Sequence, residues 1–137
     1  YKRQIWDSPE LIKAKDIMIE EPIVCPHTLK SIKALNIMFN YRVDSLMVVD
    51  KKHTFMGMIY AAQAADEANK GKRVDEVMET DCITVQSDDS IVDVLNIARE
   101  KDKYTIPVVD DQHLVGLITK STLVTTLSKK YDESEGE

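Results

Sequence analysis

The chain has 137 residues, a formal net charge of −6, and hydrophobic residues at 43% of its positions. This length corresponds to one compact domain or two very small ones, and the acidic balance argues against a nucleic-acid backbone as partner. The two cysteines form no CxxC pattern, so they predict no zinc site and are typical of reduced thiols in the cytoplasm. No stretch of the sequence has the pattern of a transmembrane helix or a signal peptide.

Each half of the chain predicts the order strand, helix, strand, strand, helix. In the first half, residues 23–25 are a β-branched run, and apolar residues follow at helical spacing from Ile32 to Phe39. A hairpin is predicted from residues 46–50 and the run through Gly57. Residues 61–70 then favour a helix by propensity.

The second half predicts the same elements in the same order. Residues 83–85 form the first strand, a helix follows from Ile91, and a hairpin runs from 106–110 through Gly116. Residues 121–130 are predicted as helical by their place in the pattern. Side chains at the helix starts predict the N-caps, which are Thr28 in the first half and Ser87 or Asp88 in the second.

These two halves align when the chain is shifted by about sixty residues, which marks a duplicated fold unit rather than a short solenoid repeat. The aligned pairs are Asp16-Ile17-Met18 with Glu76-Val77-Met78, Val48-Val49-Asp50 with Val108-Val109-Asp110, and Met56-Gly57-Met58-Ile59 with Val115-Gly116-Leu117-Ile118. A duplication favours paired binding surfaces over one unique active site.

The repeat also sets the predicted domain boundaries. Residues 1–15 are interpreted as a lead-in segment from a preceding domain, with a helix from Ile5 to Lys15. Residues 16–71 and 72–130 are the two domains, and 131–137 form an acidic flexible tail. Because a core of about sixty residues is marginal alone, we expect the two halves to share a core.

Three motifs together resemble the CBS domain, and their pair resembles a Bateman module. They are the repeated acidic-(Ile/Val)-Met run, Ile106-Pro107-Val108-Val109-Asp110, and the run from Val115 to Ser121. The resemblance covers the chain from about Lys15 to Lys129. It implies an α/β (α+β) fold in which each domain is a small three-stranded sheet with two helices, the two related by a pseudo-two-fold.

Two stretches resemble one subgroup more closely. The runs from Tyr41 to Leu46 and from Leu114 to Lys120 are similar to the C-terminal CBS pair on the ATPase subunit of osmoprotectant ABC importers, which carry glycine betaine, carnitine or choline. In such a protein an ATPase domain would precede Tyr1. The phosphate-binding Gly-rich loop of an ATPase does not occur in this sequence.

A CBS pair, as the resemblance implies, binds adenine nucleotides in the cleft between its halves. The site would need apolar walls, hydroxyl groups and a positive charge, and the Tyr104 ring could stack on adenine. The residues predicted to line it are Ile23, Val43, Ser45, Tyr104, Ile106, Leu117, Ile118, Thr119 and Lys120.

Two positions depart from the family pattern. Members that hold AMP or ATP usually end this motif with Asp, which binds the ribose diol, whereas this chain has Gln63 and Thr122. Cyclic di-AMP has its ribose 3′ oxygen in a phosphodiester, so it gains little from a carboxylate that would repel its phosphates. Cyclic di-AMP is therefore the predicted ligand, and its two-fold symmetry matches that of a homodimer.

The predicted function is that of a regulatory module that is not an enzyme, with no catalytic residue, metal site or cofactor. Its predicted partners are cyclic di-AMP, a second copy, the upstream ATPase domain and the membrane subunits of a transporter. The module would thus be cytoplasmic, at the inner face of the cell membrane. Two alternatives remain, which are an AMP or ATP sensor of energy state and a ligand-free dimerisation or ionic-strength-responsive module.

His53 and His113 occupy matching positions in the two predicted hairpin turns. A metal pair at these positions is conceivable, but histidines in turns without a clear set of partner ligands are usually solvated. We interpret the pair in this way at the level of sequence.

Overall fold

A computed structural model describes residues 12–126 of the chain. The elements are α1 (Ala14–Ile17), β1 (Val24–Pro26), α2 (Ser31–Tyr41), β2 (Ser45–Val49), β3 (Phe55–Tyr60), α3 (Ala61–Ala65), a 3₁₀ turn (Glu67–Asn69), α4 (Val74–Val77), α5 (Ile91–Lys101), β4 (Ile106–Asp110), β5 (His113–Ile118) and α6 (120–126). The mixed α/β class predicted from the sequence is confirmed.

The chain divides into two compact units that are not two contiguous halves. The first-repeat unit contains Ile23–Cys82 and Gln112–Leu114, and the second-repeat unit contains residues 12–22, Ile83–Asp111 and 115–126. The predicted boundaries, 16–71 and 72–130, therefore differ from the compact units in the opening segments of the repeats, which are residues 12–22 and 74–82. Each opening segment belongs to the unit that holds the sheet of the other repeat.

Each unit has its own cluster of buried apolar side chains. Val74, from the opening segment of the second repeat, is completely buried in the first-repeat cluster with Val48 and Ile59. Ala14 is completely buried in the second-repeat cluster with Val108 and Ile118. The halves share core residues by exchange: each cluster includes apolar side chains from the opening segment of the other repeat, which give each small sheet a further apolar layer.

The first-repeat unit contains a three-stranded sheet in the order β1-β2-β3. Strand β1 runs parallel to β2, and β2 runs antiparallel to β3 with Met47 opposite Met58. Helix α2 buries Ser31, Ala34 and Met38 on one face, which is the spacing of an amphipathic helix. The strands and helix predicted for this half are confirmed.

The second repeat has the two-stranded sheet β4-β5, of which all but His113 and Leu114 belong to the second-repeat unit. The predicted strand at residues 83–85 is reduced to a single parallel bridge between Val85 and Val108, in which the Val85 amide donates to the Pro107 carbonyl at 3.1 Å. Pro107 has no amide hydrogen, so β4 lacks the donor that would extend this ladder. The three-stranded sheet predicted for this half is therefore wrong: it has two strands and a single bridge at Val85.

A glycine in the last strand of each repeat makes room for an opening segment. Glu79 pairs with Met58 beside Gly57, and Ile19 pairs with Leu117 beside Gly116. A Cβ atom on Gly57 would overlap the Glu79 carbonyl oxygen, and one on Gly116 would overlap the Met18 side chain. The aligned glycines are thus explained by the close approach of another backbone segment.

The predicted helix caps are wrong. Helix α2 follows Lys30, which makes no side-chain cap, and α5 follows Ser90, whose Oγ accepts from the Asp93 amide at 3.2 Å. Ser87 instead donates its hydroxyl to Asp110 at 2.5 Å. Sequence alone did not distinguish these serines, because both precede the same apolar run.

The last predicted helix differs from expectation in the first repeat and is only partly described in the second. Residues 61–70 form α3 and a separate 3₁₀ turn rather than one helix, because Asp66 accepts from the Ala68 amide and starts a new turn. Residues 127–130, the tail 131–137 and residues 1–11 lie outside the described residues. The lead-in helix predicted from Ile5 to Lys15 is wrong where it is described, because Lys13 forms a bridge with Ser90 and a separate four-residue helix, α1, starts only at Ala14. None of the described helices is long and apolar enough to cross a membrane.

Candidate functional site

The nine predicted site residues fall in both compact units. Three of them, Ile23, Val43 and Ser45, belong to the first-repeat unit. The other six, from Tyr104 to Lys120, belong to the second-repeat unit. We describe each group within its own unit.

Tyr104 and Lys120 are neighbours in the second-repeat unit. The Lys120 Nζ lies 5.6 Å from the centroid of the Tyr104 ring, which is within range of a cation–π interaction. Tyr104 is half-buried and packs on the core cluster, whereas Lys120 is exposed. A base that stacks on this ring must use its other face or displace the ammonium group, which would then be free to meet a phosphate.

Thr119 starts helix α6 with a reciprocal cap. Its amide donates to the Thr122 Oγ1 at 3.0 Å, and its own Oγ1 accepts from the Thr122 amide at 3.2 Å. The Thr122 hydroxyl also donates to the Thr119 carbonyl at 2.9 Å. The two hydroxyls therefore stabilise the helix start directly beside Lys120.

The first-repeat unit has the equivalent cap with different residues. The Tyr60 amide donates to the Gln63 Oε1 at 3.1 Å, so Gln63 does here what Thr122 does in the second repeat. Both positions where the family pattern has Asp thus carry neutral side chains with a local capping role. Tyr60, half-buried at the end of β3, is a further candidate that is absent from the predicted set, although the repeat aligns it with Thr119.

Three of the predicted residues in the second-repeat unit belong mainly to its architecture. Ile106 and Ile118 are completely buried in the core cluster, so contact with a ligand would have to come from their main-chain atoms. Leu117 is half-buried, and its amide and carbonyl both bond to Ile19, at 3.0 Å and 2.7 Å. These main-chain groups are therefore already paired.

The predicted residues of the first-repeat unit lie near the ends of its strands. Ile23 is half-buried against the core cluster just before β1. Val43 is 38% exposed and follows Arg42, whose left-handed backbone (φ 57°) ends helix α2. Ser45 begins β2 opposite Tyr60. Val43 is the most accessible apolar group of this set, and Tyr60 is adjacent to Ser45 in the sheet.

A cavity of about 420 Å³ lies elsewhere in the first-repeat unit. Its lining comes from the start of helix α2, including Ser31 and Leu35, and from the segment between Ala64 and Gly71. None of the nine predicted residues lines it.

The described residues hold no group of three metal-binding side chains. Burial raises the pKa of the Cys25 thiol to about 11, which leaves it protonated and a poor nucleophile at neutral pH. Cys82 is half-buried, and its thiol donates to the Glu79 carbonyl at 3.1 Å.

Comparison with known proteins identifies relatives along nearly the whole chain. The family model described as CBS domain matches residues 14–67 and again residues 74–129. The glycine betaine/carnitine/choline transport ATP-binding protein OpuCA of Bacillus subtilis (strain 168) is 30% identical over 138 residues, covering 99% of this chain and 35% of that protein. The chain thus spans about a third of the length of the curated transport proteins it matches.

Two solved structures share the fold. Staphylococcus aureus OpuCA is 30% identical, with a TM-score of 0.73, covering 82% of this chain and 97% of that chain. The CBS domain pair of protein MJ0100, in complex with 5′-methylthioadenosine and S-adenosyl-L-methionine, is 25% identical with a TM-score of 0.73, covering 86% of this chain and 97% of that one.

Proposed function

Because the chain belongs to the CBS domain family and carries two copies of the domain, we propose that it is a regulatory module that binds cyclic di-AMP. In this proposal two copies form a homodimer around the ligand and control an osmolyte ABC importer. The module itself has no enzymatic activity, and a separate ATPase domain of the full-length protein hydrolyses ATP.

The relatives support the transporter context. OpuCA and OpuBA of Bacillus subtilis are transport ATP-binding proteins, and this chain matches about a third of each of them. We propose that the transporter's ATPase domain and membrane subunits are its partners. The module would then work at the cytoplasmic face of the cell membrane.

The ligands of one structural relative support an adenine nucleoside. The MJ0100 pair was solved with 5′-methylthioadenosine and S-adenosyl-L-methionine, and both molecules contain adenosine. Tyr104 offers an aromatic face for such a base, and Lys120 beside it offers a charge for a phosphate. Stacking of a base on an aromatic side chain contributes about 1–3 kcal/mol.

The observation that carries the choice of cyclic di-AMP is the pair of neutral caps. Gln63 and Thr122 have no carboxylate to offer a ribose diol, and the side chain of each accepts a main-chain amide hydrogen bond at a helix start. A ligand whose ribose 3′ oxygens are already esterified loses no contact when the carboxylate is absent. Its phosphates also avoid repulsion by a negatively charged side chain. AMP and ATP have free diols and would lose a favourable contact.

Exposed apolar residues on helix α2 support the homodimer. Ile32 is 59% exposed and Phe39 is 84% exposed, and their spacing of seven places them on one face of the helix. Burying these side chains against a second copy would contribute roughly 1.5–3 kcal/mol for each one fully covered.

A calorimetric titration with cyclic di-AMP, AMP and ATP side by side tests this function. We expect cyclic di-AMP to bind more tightly than either mononucleotide. Preferential binding of AMP or ATP would replace the proposal with an energy sensor. Binding of none of the three would replace it with a ligand-free module.

A matched pair of variants tests the charge argument. Thr122→Asn and Thr122→Asp have nearly the same shape and both keep a capping oxygen, but only the second adds a negative charge. We expect Thr122→Asp to bind cyclic di-AMP more weakly than Thr122→Asn. Gln63→Glu compared with the unmodified chain repeats the test in the first repeat, and equal affinities in both comparisons would contradict the argument.

A further inference from the structure

His53 and His113 come from different hairpin turns but are neighbours in the first-repeat unit. Their ring centroids lie 5.8 Å apart, with a tilt of 51° between the ring planes. His53 is half-buried and His113 is exposed. The sequence alone indicates two solvated turn residues, because residues sixty positions apart give no local sign of a contact.

Main-chain hydrogen bonds fix this juxtaposition. The Leu114 amide donates to the His53 carbonyl at 3.1 Å, and the Phe55 amide donates to the Gln112 carbonyl at 2.9 Å. Thr54 and His113 form an antiparallel bridge within this short ladder. The two histidine backbones are therefore held side by side. Each ring can then move only by changing its side-chain rotamer.

The ring nitrogens are available as ligands. No described residue forms a hydrogen bond or an ion pair with either ring. The third histidine of the chain, His27, differs because its Nδ1 lies 3.0 Å from the Asp75 carboxylate. Two adjacent imidazoles without partners among the described residues can supply two nitrogen donors to one ion once their ring nitrogens turn toward a common point.

The ring separation suits a single metal ion. With metal–nitrogen bonds of about 2.0–2.1 Å in tetrahedral geometry, two imidazole centroids lie about 5.2 Å apart. The rings of His53 and His113 would have to approach by roughly half an ångström, which small side-chain rotations supply. We propose that His53 and His113 together bind one divalent transition-metal ion, with water in the remaining coordination positions.

The donor set determines which ions qualify. Imidazole nitrogen suits Zn²⁺, Ni²⁺ and Cu²⁺, whereas Mg²⁺ and Ca²⁺ prefer oxygen ligands. A bound ion would cross-link the turn between β2 and β3 to the turn between β4 and β5. It would therefore stabilise the ladder that joins these turns, and this consequence is independent of any nucleotide.

The test is a calorimetric titration of the full chain with Zn²⁺ and, separately, Ni²⁺, accompanied by thermal unfolding with and without each ion. Mg²⁺ is the control ion. We expect one Zn²⁺ or Ni²⁺ per chain and a higher unfolding temperature with either ion, but no effect of Mg²⁺.

Variants then assign the site. His53 has a left-handed backbone (φ 65°), so His53→Asn removes the imidazole with a residue that tolerates this conformation. His53→Asn and His113→Gln should each weaken Zn²⁺ binding by about tenfold or more. His27→Gln and Cys82→Ser should leave it unchanged, and circular dichroism verifies the folding of every variant.

The proposal is overturned if the unmodified chain binds neither ion, or if folded His53→Asn and His113→Gln bind Zn²⁺ as tightly as the unmodified chain. Loss of binding on His27→Gln or Cys82→Ser would equally overturn it, because the ion would then sit elsewhere.

Discussion

The ammonium nitrogen of Lys120 lies 5.6 Å from the centroid of the Tyr104 ring, so one unit presents a cation and an aromatic face together. The cation stands at the first residue of a helix whose start is capped by Thr119 and Thr122. A nucleotide needs both kinds of group, one for its base and one for its phosphate. The first two predictions separate their contributions.

Tyr104→Ala should weaken cyclic di-AMP binding by roughly one to two orders of magnitude. The lost stacking amounts to about 1–3 kcal/mol, and about 1.4 kcal/mol corresponds to a factor of ten. Calorimetry on the purified variant measures the change. Tyr104→Phe keeps the ring and should retain most of the affinity, and unchanged binding by a folded Tyr104→Ala would show that the base lies elsewhere.

Lys120→Ala should also weaken binding, and it should reduce the salt dependence of the affinity. A lysine that meets phosphate at an accessible site is screened by added salt, so the unmodified chain should bind modestly more weakly as salt is raised. Titrations at two salt concentrations give the comparison. Lys52→Ala, in the exposed turn after β2, is the matched control. An identical salt response in the unmodified chain and Lys120→Ala would contradict the assignment.

Gly57→Ala should destabilise the chain more than Gly116→Ala. The added Cβ at Gly57 overlaps the Glu79 main-chain carbonyl, whereas the one at Gly116 overlaps chiefly the Met18 side chain and lies 3.1 Å from the Ile19 carbonyl oxygen. Overpacking of this kind costs about 1–3 kcal/mol, and we expect Gly57→Ala near the upper end. Denaturant unfolding of the two variants measures which one has the lower free energy of unfolding.

The Gly116 contact can be tested further in a Met18→Ala background. There the added methyl group has more room, so the effect of Gly116→Ala should shrink. A loss of stability equal to that in the unmodified background would mean that Met18 is not the source of the clash.

Asp75 should make a pH-dependent contribution to stability. A hydrogen bond from His27, followed by the hydrogen bond and charge of Arg73, lowers the pKa of Asp75 below its ordinary value of 3.8. Because the pKa is depressed in the folded state, the stabilisation is fully present above 3.8 and is lost as the pH falls through the lower folded value.

Asp75→Asn should therefore reduce the free energy of unfolding at pH 7, and the difference from the unmodified chain should narrow in acid. Urea unfolding at a series of pH values measures this. Asp81→Asn, at an exposed carboxylate, is the control and should have little effect at any pH. A constant difference between Asp75→Asn and the unmodified chain down to the lowest accessible pH would contradict the assignment.

The repeat in the sequence was sufficient to predict the strands of the first half, both long helices and the paired glycines. Residues aligned by the repeat occupy equivalent places in the two copies. Alternating apolar residues indicate the strands there, and apolar residues at helical spacing indicate the helices. The exchanged opening segments were not predictable, because Ala14 and Val74 are small apolar residues that suit either core equally well. The loss of a strand at residues 83–85 depends on Pro107, a residue more than twenty positions away that had been interpreted only as part of a motif.

The site was predicted less completely than the fold. The proximity of Tyr104 and Lys120 needs the end of β5 and the start of β4 to lie side by side, which pattern alone does not give. The capping role of Thr122 and Gln63 was missed, because a residue was expected there only for its contact with ribose. The prediction that these nine residues surround cyclic di-AMP stays a prediction.

The most direct test of the central claim is the stoichiometry of cyclic di-AMP binding, measured by calorimetry together with the mass of the complex from light scattering. The account predicts one cyclic di-AMP for every two chains and a complex with the mass of a dimer, because a two-fold symmetric ligand matches a two-fold symmetric pair. A complex of one chain with one ligand, or no binding at concentrations where the chain is a dimer, would contradict it.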